Sequence, residues 1–396
     1  MMNDKDICSS GPADMSGQTP PFSPPSPLES YFTSQLSSVG ITVNGSNPWD
    51  PQVHNPALWL RILKQGTVGL GEAYMEGWWD CISVEELIRR ILEAGLDPHF
   101  TGRRIPLKEW FSATLFNRQS VKRAFQVGEQ HYDAGNDLYE AMLDPTMAYS
   151  CGYWKDTTDL HQAQLNKLRL TCHKAQLSAG EHVLDIGCGW GSFAELAARE
   201  YGVRVCGITV SEQQEKLARE RCRGLPVSIR LLDYRSLQGQ YDKAVSIGMF
   251  EHVGPKNYLT YMHTVHNCLK DEGIFVLHTI GSDTRHQGTD PWIDKYIFPN
   301  GAIPALSEIS AAAEPWFVIE DVHNFGQDYA TTLRAWHHNF EQHWPQLQAS
   351  YSEQFYRMWS YYLKTCTAAF QSRSLQLYQL VLRKRLVPLP RYQSPR

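Results

Sequence analysis

Beyond residue 126, short apolar runs alternate with amphipathic segments. Val183 to Ile186, Val203 to Thr209, Val227 to Leu232, Lys243 to Ile247 and Ile274 to Ile280 are apolar and rich in β-branched residues. That is the pattern of buried strands. Between them, Ser192 to Ala198 and Ser211 to Cys222 read as helices, as does a segment carrying Leu259, Met262, His266 and Leu269 on one face. Gly224 and Gly273 are placed to stop two of these helices. Strands alternating with helices predict an α/β domain over residues 126–396, built on a doubly wound parallel sheet.

Residues 31–115 carry a different pattern. Ser83-Val-Glu-Glu86 is a capping box. Val84, Leu87, Ile88, Ile91 and Leu92 then make one apolar stripe, which Gly95 ends. A smaller, mainly helical N-terminal domain is expected here. Within it, Gly66 to Trp79 joins loop-forming glycines to a dense aromatic end. A lipid- or partner-facing surface fits that composition, but aromatic packing beneath a loop fits it better. Residues 1–30, rich in Ser, Pro and Gly, are expected to be a disordered tail.

Composition narrows the function. A chain of 396 residues with 12 Trp and 19 Tyr has material for two or three domains and a large core. A net charge of -5 gives no support to nucleic-acid binding. Nine cysteines without C-x-x-C spacing indicate neither a zinc site nor a disulfide framework, which suits a reducing cytoplasm. No secretory signal and no apolar run of membrane-spanning length is visible, so membrane contact is expected to be peripheral. Arg103, Arg104, Lys108, Arg118, Lys122 and Arg123 could face anionic lipid. On charge alone an ordinary solvated linker is the better account. His263, His266, His337, His338 and His343 lack carboxylate–His spacing, so no metal site is expected.

The strongest local signal is Val183-Leu-Asp-Ile-Gly-Cys-Gly-Trp-Gly191, a strand running through glycines into a helix. Such a turn lets the backbone approach a ligand closely. Its spacing departs from the dinucleotide pattern G-x-G-x-x-G. It matches the Asp-x-Gly-x-Gly-x-Gly loop of S-adenosylmethionine (SAM) methyltransferases, although a ligand-free turn would read the same. Wound sheets bind ligands beyond the carboxyl ends of their strands. Gly187, Thr209, Asp233, Glu251 and His278 lie at or just past five such ends, and this convergence argues for one site.

Further segments extend the match: His131-Tyr-Asp-Ala-Gly-Asn136, Tyr149-Ser-Cys-Gly-Tyr-Trp154, Gly248-Met-Phe-Glu-His-Val-Gly254, Leu277-His-Thr-Ile280, Phe298-Pro-Asn-Gly301 and Asn324-Phe-Gly-Gln-Asp-Tyr329. With the glycine loop, they make residues 126–370 resemble the cyclopropane-fatty-acyl-phospholipid synthases, including the mycolic-acid cyclopropane synthases. Residues 56–80 resemble the N-terminal domain of the phospholipid-acting branch. The resemblance implies a Rossmann-like SAM methyltransferase domain. It also implies a cytoplasmic protein, peripheral at the inner face of the membrane, whose helical domain touches the phospholipid bilayer surface. A homodimer is left open. The implied reaction transfers the SAM methyl group to the cis double bond of a phospholipid acyl chain. Proton loss from the resulting carbocation then closes a cyclopropane ring. Addition of a plain methyl group is the alternative outcome, and a SAM- or lipid-binding module without turnover is a third reading.

By the same resemblance, Asp185, Gly187, Cys188, Gly189 and Gly191 hold the methionine portion of SAM. Tyr149 and Ser150 touch the cofactor. Thr209 to Gln214, Gln213 included, line its ribose and adenine side, and Asp233 and Tyr234 lie at the adenine. Thr209 stands where many SAM enzymes carry an acid. Ser211-x-x-Gln214 is equally a capping box. The implied base is a bound bicarbonate, held by Cys151, Glu251, His278, Tyr329 and the backbone of Ile280. His278 would pass the proton outward, since its ordinary pKa lies near the working range. Core packing explains a lone His or Cys equally well. Cys366 matches another family cysteine offered as an active-site thiol, though packing among Tyr361, Tyr362 and Phe370 also accounts for it. Tyr132, Trp154, Phe250 and Tyr329 are candidate aromatic faces for the cation.

Overall fold

The computed structural model describes residues 26–96, 135–285 and 288–395. The proline-rich segment through Pro25, the basic run Arg103 to Arg123, the 115–126 boundary and Tyr132 lie outside the described residues.

The N-terminal part is helical, with Pro27–Ser37, Leu58–Gln65, Thr67–Met75 and Val84–Glu93 as its helices. Two short strands, β1 (Gln52–Val53) and β2 (Trp79–Asp80), pair antiparallel between them. The first helix takes in Pro27 to Ser30, which composition assigns to the tail. Ser26 caps it by accepting the Glu29 N–H at 3.1 Å, and Pro27 supplies a preset first turn. Ser83 likewise accepts from Glu86 N–H to open the predicted helix.

Of the glycines expected to form a loop at 66–79, Gly66 and Gly77 do lie in turns, but Gly69 and Gly71 lie within a helix. A Cβ on Gly69 would fall 2.6 Å from the Arg61 carbonyl oxygen, and one on Gly71 2.5 Å from the Trp292 ring. Here glycine allows close packing of a helix. Tyr74 and Trp79 are buried, in line with the packing account of the aromatics. They share a continuous core with Trp336, Trp359 and Tyr361 from the C-terminal helices. Arg357 crosses the same boundary to Asp80 at 2.7 Å.

The larger part centres on one seven-stranded sheet. Its strands are β3 (His182–Ile186), β4 (Arg204–Thr209), β5 (Val227–Leu231), β6 (Tyr241–Ile247), β7 (Leu269–Gly281), β8 (Phe317–Asn324) and β9 (Gln376–Lys384). Their order is β5-β4-β3-β6-β7-β9-β8. The first five are parallel, as the alternation predicts. β9 is antiparallel to both neighbours, so the whole sheet is mixed. The cause is the pair of helices Gly326–Leu347 and Glu353–Gln371 between β8 and β9. One long helix leads away and the second leads back, so β9 starts from the end at which β8 stopped.

Alternate strand residues feed opposite layers. Leu184 and Ile186 join one core, while Val183, Val205 and Val245 join the other. The helix Tyr258–Cys268 buries Tyr258, Tyr261, Met262, Val265 and Cys268. Leu259, expected on its inner face, is 57% exposed, and Leu269 begins β7. The face is set by Tyr258 and Tyr261, which pack on Phe250 at 4.5 and 5.2 Å between ring centres. Among the described residues, no helix is long and apolar enough to cross a membrane.

Candidate active site

Beyond the carboxyl ends of β3 to β6 lies a cleft enclosing about 1480 Å³, open solvent included. Tyr149, Ser150, Asp185, Gly187, Cys188, Gly189, Thr209, Gln214, Asp233 and Tyr234 all line it. Four expected residues, Gly191, Ser211, Glu212 and Gln213, do not. Gln213 is exposed on the outer face of its helix. Gly191 caps the helix Ser192–Tyr201 at φ +88°, and a Cβ there would press on Ala218 at 3.1 Å. It brings two helices together.

The glycine loop is braced from its neighbour, because Ile208 carbonyl accepts both the Gly187 and Cys188 N–H groups at 3.0 and 2.9 Å. Those two amides are therefore engaged within the fold. Gly187 has φ +82°, and a Cβ there would sit 2.8 Å from Met249. Only glycine leaves the cleft floor open at that point.

The two accounts of Gln214 meet in one network. Ser211 hydroxyl accepts the Gln214 N–H at 3.3 Å, half of a capping box. The Gln214 side-chain carbonyl accepts from Thr209 hydroxyl at 2.8 Å, and Thr209 oxygen takes the Ser211 N–H at 3.2 Å. Gln214 thus caps the helix end and lines the cleft. Asp233 is held by Arg235 at 2.9 Å.

Lys167 carries no signal in the sequence. It projects from the helix Leu160–Lys174, where Gln164, Lys167, Thr171 and Lys174 recur at three- and four-residue spacing and are all buried. In sequence such a stripe reads as a solvated face. Lys167 Nζ donates to Ser150 Oγ at 2.7 Å. Burial pulls its pKa down to about 8, with the carboxylates of Asp144 and Asp185 among the groups opposing it. Burial likewise pushes Asp185 up to about 7, with Lys167 opposing. Asp185 Oδ2 has no protein partner. Tyr139, Met249, His252 and Phe298 complete the wall, and burial drives the His252 pKa down to about 4.

The expected proton-handling residues do not line this cleft. Cys151 follows Ser150, and Glu251 lies between Met249 and His252. The His278 carbonyl accepts the Gly248 N–H at 2.9 Å. Glu251 Oε1 accepts the Ile280 N–H at 2.7 Å, while its Oε2 is buried without a partner. The Ile280 N–H is thus engaged by Glu251 instead of facing an ion. Burial raises Glu251 to about 7, with the Ile280 N–H among the groups opposing it.

His278 is buried and its Nε2 has no protein partner. Burial, reinforced by Lys167, Lys174 and His323, holds its pKa well below the usual histidine range. It is therefore a neutral ring, not a shuttle titrating near the working range.

Tyr329 stacks on Phe370 at 4.5 Å, and burial pushes its pKa upward with help from Cys151, Glu251 and Cys366. Cys151 Sγ contacts the Gly152 carbonyl at 3.1 Å and stays protonated by burial. Cys366 is pushed up to about 12 for the same reason.

Of the aromatic candidates, Phe250 is occupied by its tyrosine stack, and Trp154 donates its ring N–H to Thr332 at 2.9 Å. Tyr149 connects the cleft to the C-terminal helices. Its hydroxyl lies 2.8 Å from that of Tyr362, and its ring packs 5.1 Å from Trp336. These last two aromatics come from the C-terminal helices, and no local motif marks them.

The family model for mycolic acid cyclopropane synthetase matches residues 119–380. The chain is 52% identical over 349 residues to cyclopropane-fatty-acyl-phospholipid synthase of Escherichia coli (strain K12), covering 87% of this chain and 91% of that one. It is 34% identical over 376 residues to tuberculostearic acid methyltransferase UfaA1 of Mycobacterium tuberculosis, covering 87% and 86% of the two chains. Among solved structures, mycolic acid cyclopropane synthase CmaA1 complexed with SAH and CTAB is similar, with a TM-score of 0.62 and 29% identity. That match covers 66% of this chain and 98% of the other.

Proposed function

This chain belongs to the mycolic acid cyclopropane synthetase family of SAM-dependent methyltransferases, and from that premise we propose that it converts unsaturated phospholipid acyl chains to cyclopropane acyl chains. The cleft suits SAM in its own terms, with a floor kept open by Gly187 and an unpartnered carboxylate oxygen on Asp185. Asp185, Thr209, Gln214, Asp233 and Tyr234 would hold the cofactor, with Tyr149 and Ser150 above it. Bound SAM supplies an electrophilic methyl group on a sulfonium.

The observation that carries the reading is two buried polar atoms that make no hydrogen bond of their own in the fold, the acceptor Glu251 Oε2 and the ring nitrogen His278 Nε2. Such atoms are costly unless a ligand satisfies them. A bicarbonate ion can accept from an imidazole N–H and donate to a carboxylate. Cys151, Glu251, His278 and Tyr329 would hold it, and it would supply the base that removes a proton from the acyl cation. Ile280 contributes by orienting the Glu251 carboxylate. The buried aromatics Tyr329, Trp336 and Phe370, with the half-buried Tyr149, exclude water and face positive charge favourably.

The helical N-terminal part is assigned to the bilayer surface, at the cytoplasmic face, with the protein peripheral. The similarity to a tuberculostearic acid methyltransferase supports a second outcome, in which a plain methyl group is added.

Purified protein is incubated with SAM and vesicles of unsaturated phospholipid. Acyl chains should gain one CH2 unit and lose their olefinic protons as cyclopropyl protons appear. A branched or methylene-bearing chain would select the second outcome, and no lipid product would overturn both. Turnover in carbonate-depleted buffer should fall and recover on adding bicarbonate.

A further inference from the structure

The register of β7 and β9 sets Gln379 directly opposite His278. Directly opposed residues on an antiparallel pair share a face, and both side chains are buried. Gln379 Nε2 lies 3.0 Å from Thr171 Oγ1 and, in a longer contact, 3.5 Å from His278 Nδ1. Thr171 donates its hydroxyl proton to the Lys167 carbonyl at 2.8 Å, which leaves its oxygen to accept from Gln379. The amide therefore turns its NH2 toward Thr171, and the same NH2 faces the imidazole. Lys167, Lys174 and His323 bear on the ring, and burial keeps it neutral. A neutral imidazole that meets a donor at Nδ1 carries its own proton on Nε2.

We propose that Gln379 is a positioning residue that sets the tautomer of His278, leaving Nε2–H as the donor available to a small bound oxyanion. The consequence for turnover rests on the bicarbonate reading above, whereas the tautomer does not.

The test is NMR of protein labelled with 15N-histidine, in which the His278 signals are identified by their loss in His278→Asn. Wild type is expected to show the neutral Nε2–H form. Gln379→Glu places an acceptor at Nδ1 and should move the proton there or charge the ring. Its turnover should fall about 100-fold, the scale of a lost proton-transfer contribution. SAM affinity should hold, because neither residue lines the cofactor cleft. Gln379→Leu removes the donor without adding charge and should give a mixture of tautomers. An Nδ1–H tautomer in wild type, or a neutral Nε2–H ring retained in Gln379→Glu, overturns the proposal. Turnover indifferent to bicarbonate alongside the expected tautomer supports the assignment of the ring and overturns only the reading of the anion.

Discussion

Glu251 is tied to Ile280 by a 2.7 Å bond from the backbone N–H to Oε1, the Thr279 side chain also bears on the carboxylate, and its second oxygen is buried with no hydrogen bond of its own. One oxygen orients the carboxylate and the other remains for a ligand. Glu251→Gln keeps an oxygen to accept from Ile280 but loses the charge. Turnover should fall about 100-fold or more, with SAM affinity unchanged by calorimetry. Wild-type rates would remove Glu251 from the reaction.

The same residue makes a stability prediction. Burial raises its pKa from 4.5 to about 7, so between those values the folded protein binds more protons than the unfolded one. Its contribution is therefore fully present below pH 4.5 and is lost as pH rises through about 7. Glu251→Gln lacks that loss. The difference in unfolding free energy between variant and wild type should move in favour of the variant across the window, by about 1.4 kcal/mol for each tenfold gain in proton affinity on folding. Denaturant titrations at pH 5 and pH 8 measure it, and a pH-independent difference would contradict the buried state of the carboxyl.

Lys167 and Leu168 reach the cleft from the helix Leu160–Lys174. The bond from Lys167 to Ser150 is charge-assisted, worth about 1.5–3 kcal/mol. Lys167→Met should weaken SAM binding about tenfold or more in calorimetry. Unchanged affinity would reduce Lys167 to a packing role.

Cys366 carries a thiol held protonated by burial, with its pKa at about 12. A thiol in that state is a poor nucleophile. Cys366→Ser should retain most of the wild-type turnover in the vesicle assay. Near-complete loss with normal SAM binding would restore it to the chemistry.

Gly71 sits where the N-terminal helices meet the catalytic part. Gly71→Ala would drive a methyl into the Trp292 ring, which lies 2.5 Å from the place its carbon would take. Overpacking of this kind costs about 1–3 kcal/mol, read as a lower melting temperature. No change would mean that Trp292 moves aside freely.

What sequence alone determined was local. Apolar periodicity placed the five parallel strands, since each is a short buried run between breakers. The strand-end rule brought Gly187, Thr209 and Asp233 to one cleft, because a parallel sheet turns all its carboxyl ends the same way, whereas Glu251 and His278 do not line it. Tertiary structure alone decided what depends on distant partners. Lys167 and Gln379 look like surface residues until the sheet and helix bury them against Ser150, Thr171 and His278. The same burial turned His278 from a titrating shuttle into a neutral ring. Gln213 and Gln214 are adjacent and alike in composition, yet helix rotation sends one to solvent and the other to the cleft. Side-chain direction and desolvation are properties of the assembled fold, and neither is written in a single stretch of chain.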